Sequence, residues 1–298
     1  MNVYSILSDV LLFLMFLDII RNYLNKNYER CKKYISYFFW VVGINLTLKF
    51  MFKIERDVGF VKYSFPSTHA ALSIIPFFIY KNPLLLIYAL IIGILRVLAG
   101  YHNLLEVIVG YISSYFSLLL FNFLEKKVEF ETHRKAFHIG LSVIIGSILF
   151  FNQFYGQLLL FLALLVSPIL FYLKNRKPIR DLLEWYDRDF SGKGALTLVI
   201  GLLLASFLLE NSYIAAFYLG WIDSLATIFG KIFNTNKKSY YGFLGGLIGG
   251  FIAVLITNTS YILPFLLSLV EYITPRRIID DNITIPIAII LFINIFHG

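Results

Sequence analysis

Three short segments in the first third of the chain carry side chains able to converge on one phosphate group: Lys49-x6-Arg56, Pro66-Ser67-Thr68-His69 and Arg96-x5-His102-x3-Glu106. Lys49 and Arg56 are close to two helical turns apart, so both can face one pocket. With Arg96 they supply charged donors for phosphate oxygens. Ser67 follows Pro66 at a helix start, where Pro is tolerated and open backbone N–H groups favour an anion. His69 enters on the first turn of that helix as a candidate acid. His102 and Glu106 stand at i and i+4, the spacing at which a carboxylate holds one imidazole nitrogen and fixes the tautomer. The other nitrogen is then free to attack phosphorus.

The elements that must position these residues are helices in lipid. Hydrophobic residues make up 59% of the 298 positions and charged residues 15%, with a mean hydropathy of +0.76, far from the roughly 25% charge of a soluble domain. Apolar runs recur from end to end between short polar links. This predicts an all-α polytopic membrane protein of about twelve transmembrane helices in two helical bundles, because only structures that satisfy their own backbone survive in hydrocarbon. The expected spans are 4–20, 34–52, 67–80, 84–100, 103–123, 137–152, 156–173, 195–210, 213–230, 241–257, 260–273 and 283–297. The first run lacks a basic leader and carries Asp9 and Asp18, so it reads as a span and not as a removable signal. A single cysteine, Cys31, excludes an internal disulfide.

The net charge of +8 sits in links between spans, which suits anionic headgroups and excludes a nucleic-acid partner. With Arg21 to Lys33 placed in the cytoplasm, alternation of twelve spans puts all but five of the 26 Lys and Arg residues on that side. It also places both termini outside a cell membrane. The five are Lys49, Lys53, Arg56, Lys62 and Arg96, three of which belong to the phosphate constellation. A lone His or Arg near an interface is usually an anchor; a set of cations on the disfavoured side calls for a ligand.

Residues 34–123 resemble the type 2 phosphatidic acid phosphatase superfamily, whose motifs read Lys-x6-Arg-Pro, Pro-Ser-Gly-His and Ser-Arg-x5-His-x3-Asp. The chain departs at four positions: Asp57 for Pro, Thr68 for Gly, Leu95 for Ser and Glu106 for Asp. The resemblance implies a lipid phosphate phosphatase domain over 1–124 that needs no cofactor. By it His102 forms a phosphohistidine, Glu106 orients it, His69 protonates the leaving alcohol, and Lys49, Arg56, Ser67 and Arg96 bind phosphate.

The second part, 125–298, clusters polar groups on the expected cytoplasmic links: His133-Arg134-Lys135 with His138, Asp187-Arg188-Asp189 before Gly192-Lys193-Gly194, Asp223 to Lys231, Lys237-Lys238-Ser239 with Gly242, and Asp280-Asp281-Asn282. Glycines for close approach, lysines for phosphates and carboxylates for magnesium suit a nucleoside triphosphate, although no Walker A sequence is present. The pieces Arg134-Lys135-x2-His138, Gly220-x2-Asp223-x2-Ala226-x3-Gly230-Lys231 with Lys238-Ser239-x2-Gly242, and Glu271 with Asp281-Asn282 resemble the dolichol kinase and phytol kinase family, related to membrane cytidylyltransferases. The resemblance implies phosphorylation of an isoprenoid alcohol by CTP with Mg2+. It assigns Arg134, Lys135, His138, Lys231, Lys238, Ser239 and Gly242 to nucleotide, and Asp223 and Asp281 to metal or to activation of the lipid hydroxyl. A cytidylyltransferase is the competing expectation, disfavoured because its Gly-His-Gly-Gly segment is missing. A lipid flippase or scramblase is the expectation from a different class.

Overall fold

The computed structural model describes residues 2–55, 63–187, 191–233, 238–274 and 280–297, with backbone only for 295–297. Among them the protein is all-α, its one departure an isolated bridge between Glu55 and Tyr63. The chain divides into two compact units, residues 1–126 and 127–298.

The first unit holds α1 (Val3–Leu24), α2 (Tyr28–Phe52), α3 (Thr68–Ser73), α4 (Ile75–Tyr80), α5 (Leu84–Leu98) and the opening of α6 (Leu104–Phe151). Asn2 caps α1 by accepting from the Tyr4 N–H at 3.0 Å. Helices α2 and α4 end at Lys53 and Lys81, both left-handed, the conformation that turns a chain out of a helix. The expected span 67–80 is two short helices, because Pro76 has no N–H to carry the ladder back to Leu72. The core here is aromatic: Tyr37 meets Phe121 edge-on at 5.0 Å, and Trp40 Nε1 donates to the Ser117 carbonyl at 2.8 Å.

The second unit continues α6 and adds α7 (Gln153–Leu173), α8 (Ile179–Tyr186), α9 (Lys193–Leu208), α10 (Tyr213–Ile232), α11 (Tyr240–Thr257), α12 (Ile262–Ile273) and α13 (Asp281–His297). Two expectations are corrected. The link between the fifth and sixth expected spans carries helix on either side of Val128, whose φ of −146° and ψ of 63° kink the chain, so α6 is two helices joined there; its Glu and Lys residues are good helix formers and no Gly or Pro interrupts them. The link after α7 carries the amphipathic helix α8. Helix α10 is buried almost all round, and glycines of α11 let it approach: a Cβ on Gly245 would lie 2.4 Å from the Leu225 carbonyl oxygen, and one on Gly249 2.4 Å from that of Trp221.

Among the described residues six helices, α1, α2, α6, α7, α10 and α11, are long and apolar enough to cross a membrane. Apolar side chains of α1, α5, α6 and α7 stand exposed in number, as lipid-facing surfaces do. The protein is therefore a membrane protein. The other apolar helices run from 10 to 17 residues; α12, with 12 residues, rises only about 18 Å against a hydrocarbon core of about 30 Å.

Candidate active sites

In the first unit, the site forms where α2, the segment before α3, and the α5–α6 link meet. Asn103 caps α6: its Oδ1 accepts from the Glu106 N–H at 2.9 Å, and Glu106 Oε2 accepts from the Asn103 N–H at 3.2 Å. That reciprocal pairing aims the Glu106 carboxylate backward at His102, whose Nδ1 lies 2.8 Å from Oε2. The other oxygen, Oε1, accepts from the Ser64 hydroxyl at 2.6 Å. The carboxylate is thus saturated and the imidazole held with Nε2 outward, in the tautomer its partner dictates. Both side chains are buried, at 7% and 6% exposure.

Cations surround this pair. Lys49 Nζ donates to the carbonyl oxygens of Tyr63 and Ser64 at 3.2 and 2.8 Å. Arg96 lies over the Tyr101 ring at 4.6 Å and reaches Asp9 at 3.4 Å. Burial pushes the His102 imidazole down to about 4, the charges of Lys49 and Arg96 push the same way, and Glu106 opposes them. His102 is therefore neutral, and nucleophilic, at ordinary pH.

His69, on the first turn of α3, bonds through Nε2 to Asp9 Oδ1 at 2.8 Å, and the same oxygen faces Arg96. A carboxylate thus stands between two groups expected to receive a phosphate. Ser67 is fully buried; its Oγ accepts from the Ala70 N–H at 3.5 Å and its N–H donates to the Glu106 carbonyl at 3.0 Å. Gly110 lets the two segments touch, since a Cβ there would lie 2.6 Å from the Ser67 carbonyl oxygen. Thr68 turns its hydroxyl to Asn45 Oδ1 at 2.7 Å. Arg56 lies outside the described residues.

The sequence reading missed Asp9, Ser64 and Asn103. Asp9 had a signal, because an acid inside an apolar span is costly and marks function by default, but it served only to argue against a signal peptide. Ser64, a serine before a turn, had none.

In the second unit, two ion clusters come together. Lys135 of α6 is 1% exposed and its Nζ meets Asp223 Oδ2 of α10 at 2.5 Å; His138 Nε2 lies 3.3 Å from the same oxygen. Lys238, ahead of α11, donates to Glu271 Oε1 of α12 at 2.5 Å, to the Glu271 carbonyl, and to both oxygens of Asp281 at 3.0 Å. Asn282 ties α13 to α9, donating to the Gly194 carbonyl at 2.9 Å, and Gly201 permits that approach, a Cβ there falling 2.1 Å from the Asn282 carbonyl oxygen.

Ser239 caps α11, accepting from the Gly242 N–H at 3.2 Å, and Gly242 faces the Ala226 carbonyl across the α10–α11 seam; both residues have structural employment. Arg134 pairs with Glu131 at 2.8 Å. Lys231 stands on the last turn of α10, about two turns beyond Asp223. Arg188, Asp189 and Lys237 lie outside the described residues. No group of three or more His, Cys, Asp and Glu placed to hold a metal occurs among the described residues. The hard carboxylate oxygens of Asp223 and Asp281 nevertheless fit Mg2+, which commonly takes one or two carboxylates and completes its shell with water and phosphate oxygens.

Against His138 and Asn282 opens a cavity of about 600 Å³, walled by α6, α7, α8 and α9 and mostly apolar. Its polar lining comes from Arg134, His138, Ser167, Lys174, Asp187, Ser191 and Asn282.

No family model and no solved structure matches the chain. It is similar to Uncharacterized protein MJ1137 of Methanocaldococcus jannaschii, being 30% identical over 186 residues that cover 55% of this chain and 93% of that protein. At that coverage of the relative, the chain belongs to the family of the Methanocaldococcus jannaschii protein.

Proposed function

We propose that the protein is a bifunctional membrane lipid enzyme. The first unit hydrolyses an isoprenoid or related lipid phosphate through a phosphohistidine, and the second phosphorylates an isoprenoid alcohol with CTP or another nucleoside triphosphate. The observation that carries this reading is the Glu106-held, neutral His102 near the charges of Lys49 and Arg96.

In the first reaction, Lys49 and Arg96 draw the phosphate oxygens in, with Ser67 and Arg56 assigned to help. His102 Nε2 attacks phosphorus while Glu106 keeps the Nδ1 proton and steadies the positive ring. The P–O bond to the lipid breaks and His69 delivers a proton to the departing oxygen. Water, deprotonated by His69, then attacks the phosphohistidine; inorganic phosphate leaves and the neutral imidazole returns.

In the second unit, bound Mg2+ would neutralise charge on the transferring phosphoryl group, and Asp223 and Asp281 are the residues to hold it. Lys135 and Lys238, already at those carboxylates, are positioned to turn toward nucleotide phosphates, and Asp223 to accept the proton of the lipid hydroxyl.

In this reading the two limbs of α6 and the shorter apolar helices would supply the remaining crossings of twelve in two bundles, with both termini outside the cell membrane. The phosphatase site faces outward and the kinase site inward, where nucleotide is available; the bias of Lys and Arg toward one set of links supports this sidedness. Opposite faces make the pair a salvage circuit: an alcohol released outside is rephosphorylated inside after it returns.

Purified protein is expected to release inorganic phosphate from a polyprenyl phosphate without nucleotide, and His102→Ala to abolish the release; unchanged release would discard the phosphatase assignment. Label from γ-labelled CTP is expected to reach a polyprenol and to fail in Asp223→Ala. Persistence there would discard the kinase assignment.

A further inference from the structure

Helix α1 carries two acids with different occupations. Asp18 accepts from the Tyr80 hydroxyl of α4 and pairs with Arg21 at 3.6 Å, about 14 Å along the helix from Asp9. Among the described residues the partners of Asp9 belong to the phosphate site: its Oδ1 meets His69 Nε2 at 2.8 Å and an Arg96 nitrogen at 3.4 Å. The side chains of Asp9 and His69 are 40% and 27% exposed, so an incoming ligand can reach them. A carboxylate only accepts, so Nε2 of His69 carries its proton and Nδ1 presents a lone pair. The site therefore holds two carboxylate–imidazole pairs of opposite sense. Glu106 grips His102 by Nδ1 and leaves Nε2; Asp9 grips His69 by Nε2 and leaves Nδ1. The contact of Asp9 with Arg96 is long for a charge-assisted bond and is the one a phosphate can exchange. Arg96 also donates to the buried Ser8 Oγ at 3.3 Å, so α1 keeps a hold on the guanidinium when the carboxylate lets go.

Given the phosphatase reading of this site, on which this rests, we infer that Asp9 is the positioning residue of His69 and that substrate completes the pair. Phosphate takes Arg96 from Asp9, and the carboxylate, left to His69 alone, stabilises the charged ring that protonates the leaving oxygen. The protons balance without another reactant. A lipid phosphate enters as the monoanion and its proton passes to His69 Nδ1. His102 Nε2 bonds to phosphorus, the P–O bond to the lipid breaks with its electron pair on the lipid oxygen, and Nδ1 returns the proton to that oxygen. Asp9 stays ionised throughout. A carboxylate that merely pinned α1 to its neighbours would not make the rate depend on the leaving group.

The test is single-turnover formation of alkali-stable phosphohistidine by the full chain in detergent, at saturating substrate, from two esters radiolabelled at phosphorus. Decyl phosphate loses an alkoxide that must be protonated as it leaves; para-nitrophenyl phosphate loses a phenolate that needs no proton. Asp9→Asn is expected to slow labelling from decyl phosphate about tenfold more than labelling from para-nitrophenyl phosphate, the difference between a charged and a neutral partner for a cationic ring. Asp9→Glu is expected to restore most of that ratio. In a His69→Ala background, Asp9→Asn is expected to change the ratio less than about twofold, because its effect runs through that ring. Labelling from para-nitrophenyl phosphate also reports that each variant is folded. If Asp9→Asn slows both esters equally or slows neither, or if its effect on the ratio persists without His69, the role given to Asp9 is overturned while the phosphatase reading stands. If the wild-type protein forms no phosphohistidine from either ester, the phosphatase reading falls and the role of Asp9 falls with it.

Discussion

Glu106→Gln isolates the charge of the proposed orienting carboxylate from its geometry. The amide oxygen can still accept from His102 Nδ1 and from the Asn103 N–H, the contacts now made at 2.8 and 3.2 Å. The amide N–H then faces Ser64 Oγ, whose hydroxyl is free to swing to the Ile54 carbonyl, already 3.3 Å away. The site keeps its shape and loses one negative charge beside a ring that becomes cationic as phosphorus bonds to it. The difference between a charge-assisted and a neutral hydrogen bond is about 1.5 kcal/mol, so kcat for phosphate release falls roughly tenfold. The pH profile provides a second readout. Nucleophilic attack needs neutral His102, so activity falls as pH drops through about 4, where burial and the nearby cations have pushed its protonation. Glu106 acts in the opposite sense, favouring the protonated ring; without its charge the acid limb moves to still lower pH. The assay is inorganic phosphate release from polyprenyl phosphate across an acidic pH series in detergent. A wild-type kcat, or an acid limb that stays or moves upward, would refute the assigned role of Glu106.

Three further outcomes follow from contacts already described. Asp9→Asn removes an anion that contests Arg96 and His69, so the KM for a lipid phosphate falls, by about tenfold if 1.4 kcal/mol of repulsion is relieved; steady-state kinetics separate this from a change in kcat. Lys135→Met leaves the buried Asp223 without its closest cation and lowers stability by about 3 kcal/mol or more, whereas Lys135→Met with Asp223→Leu recovers most of it; thermal unfolding in detergent reads both. Gly249→Val must push α11 off the Trp221 carbonyl, 2.4 Å from where the Cβ would lie, lowering stability by about 1–3 kcal/mol in the same assay.

Much of the helical layout could be read from hydropathy because lipid demands long apolar runs, and the runs at α1, α2, α7, α10 and α11 are uninterrupted. The stretch from Glu125 to Lys135 misled in part because charge suggests a solvated link, yet Glu, Lys and Arg also favour helix, and helix runs up to the kink at Val128 from both sides. Pro76, within the run 67–80, was a visible break. In the first site, the i,i+4 spacing of His102 and Glu106 carries enough information to bring them together, since one turn places such side chains in reach. The contacts to Asp9 and Ser64 span 60 and 42 residues, and no periodicity encodes such distances. Ser239 and Gly242 also serve the fold, as a helix cap and at a tight helix crossing.

The space left by Gly110 has an evolutionary consequence. Ser67 and Glu106 share one backbone hydrogen bond beside a position 110 from which nothing projects, so the alignment of the Ser67 turn with Glu106 and His102 depends on a residue that belongs to none of the three signature segments. A descendant could preserve every letter of those segments, exchange this glycine for any larger residue, and present an intact signature over a misaligned center.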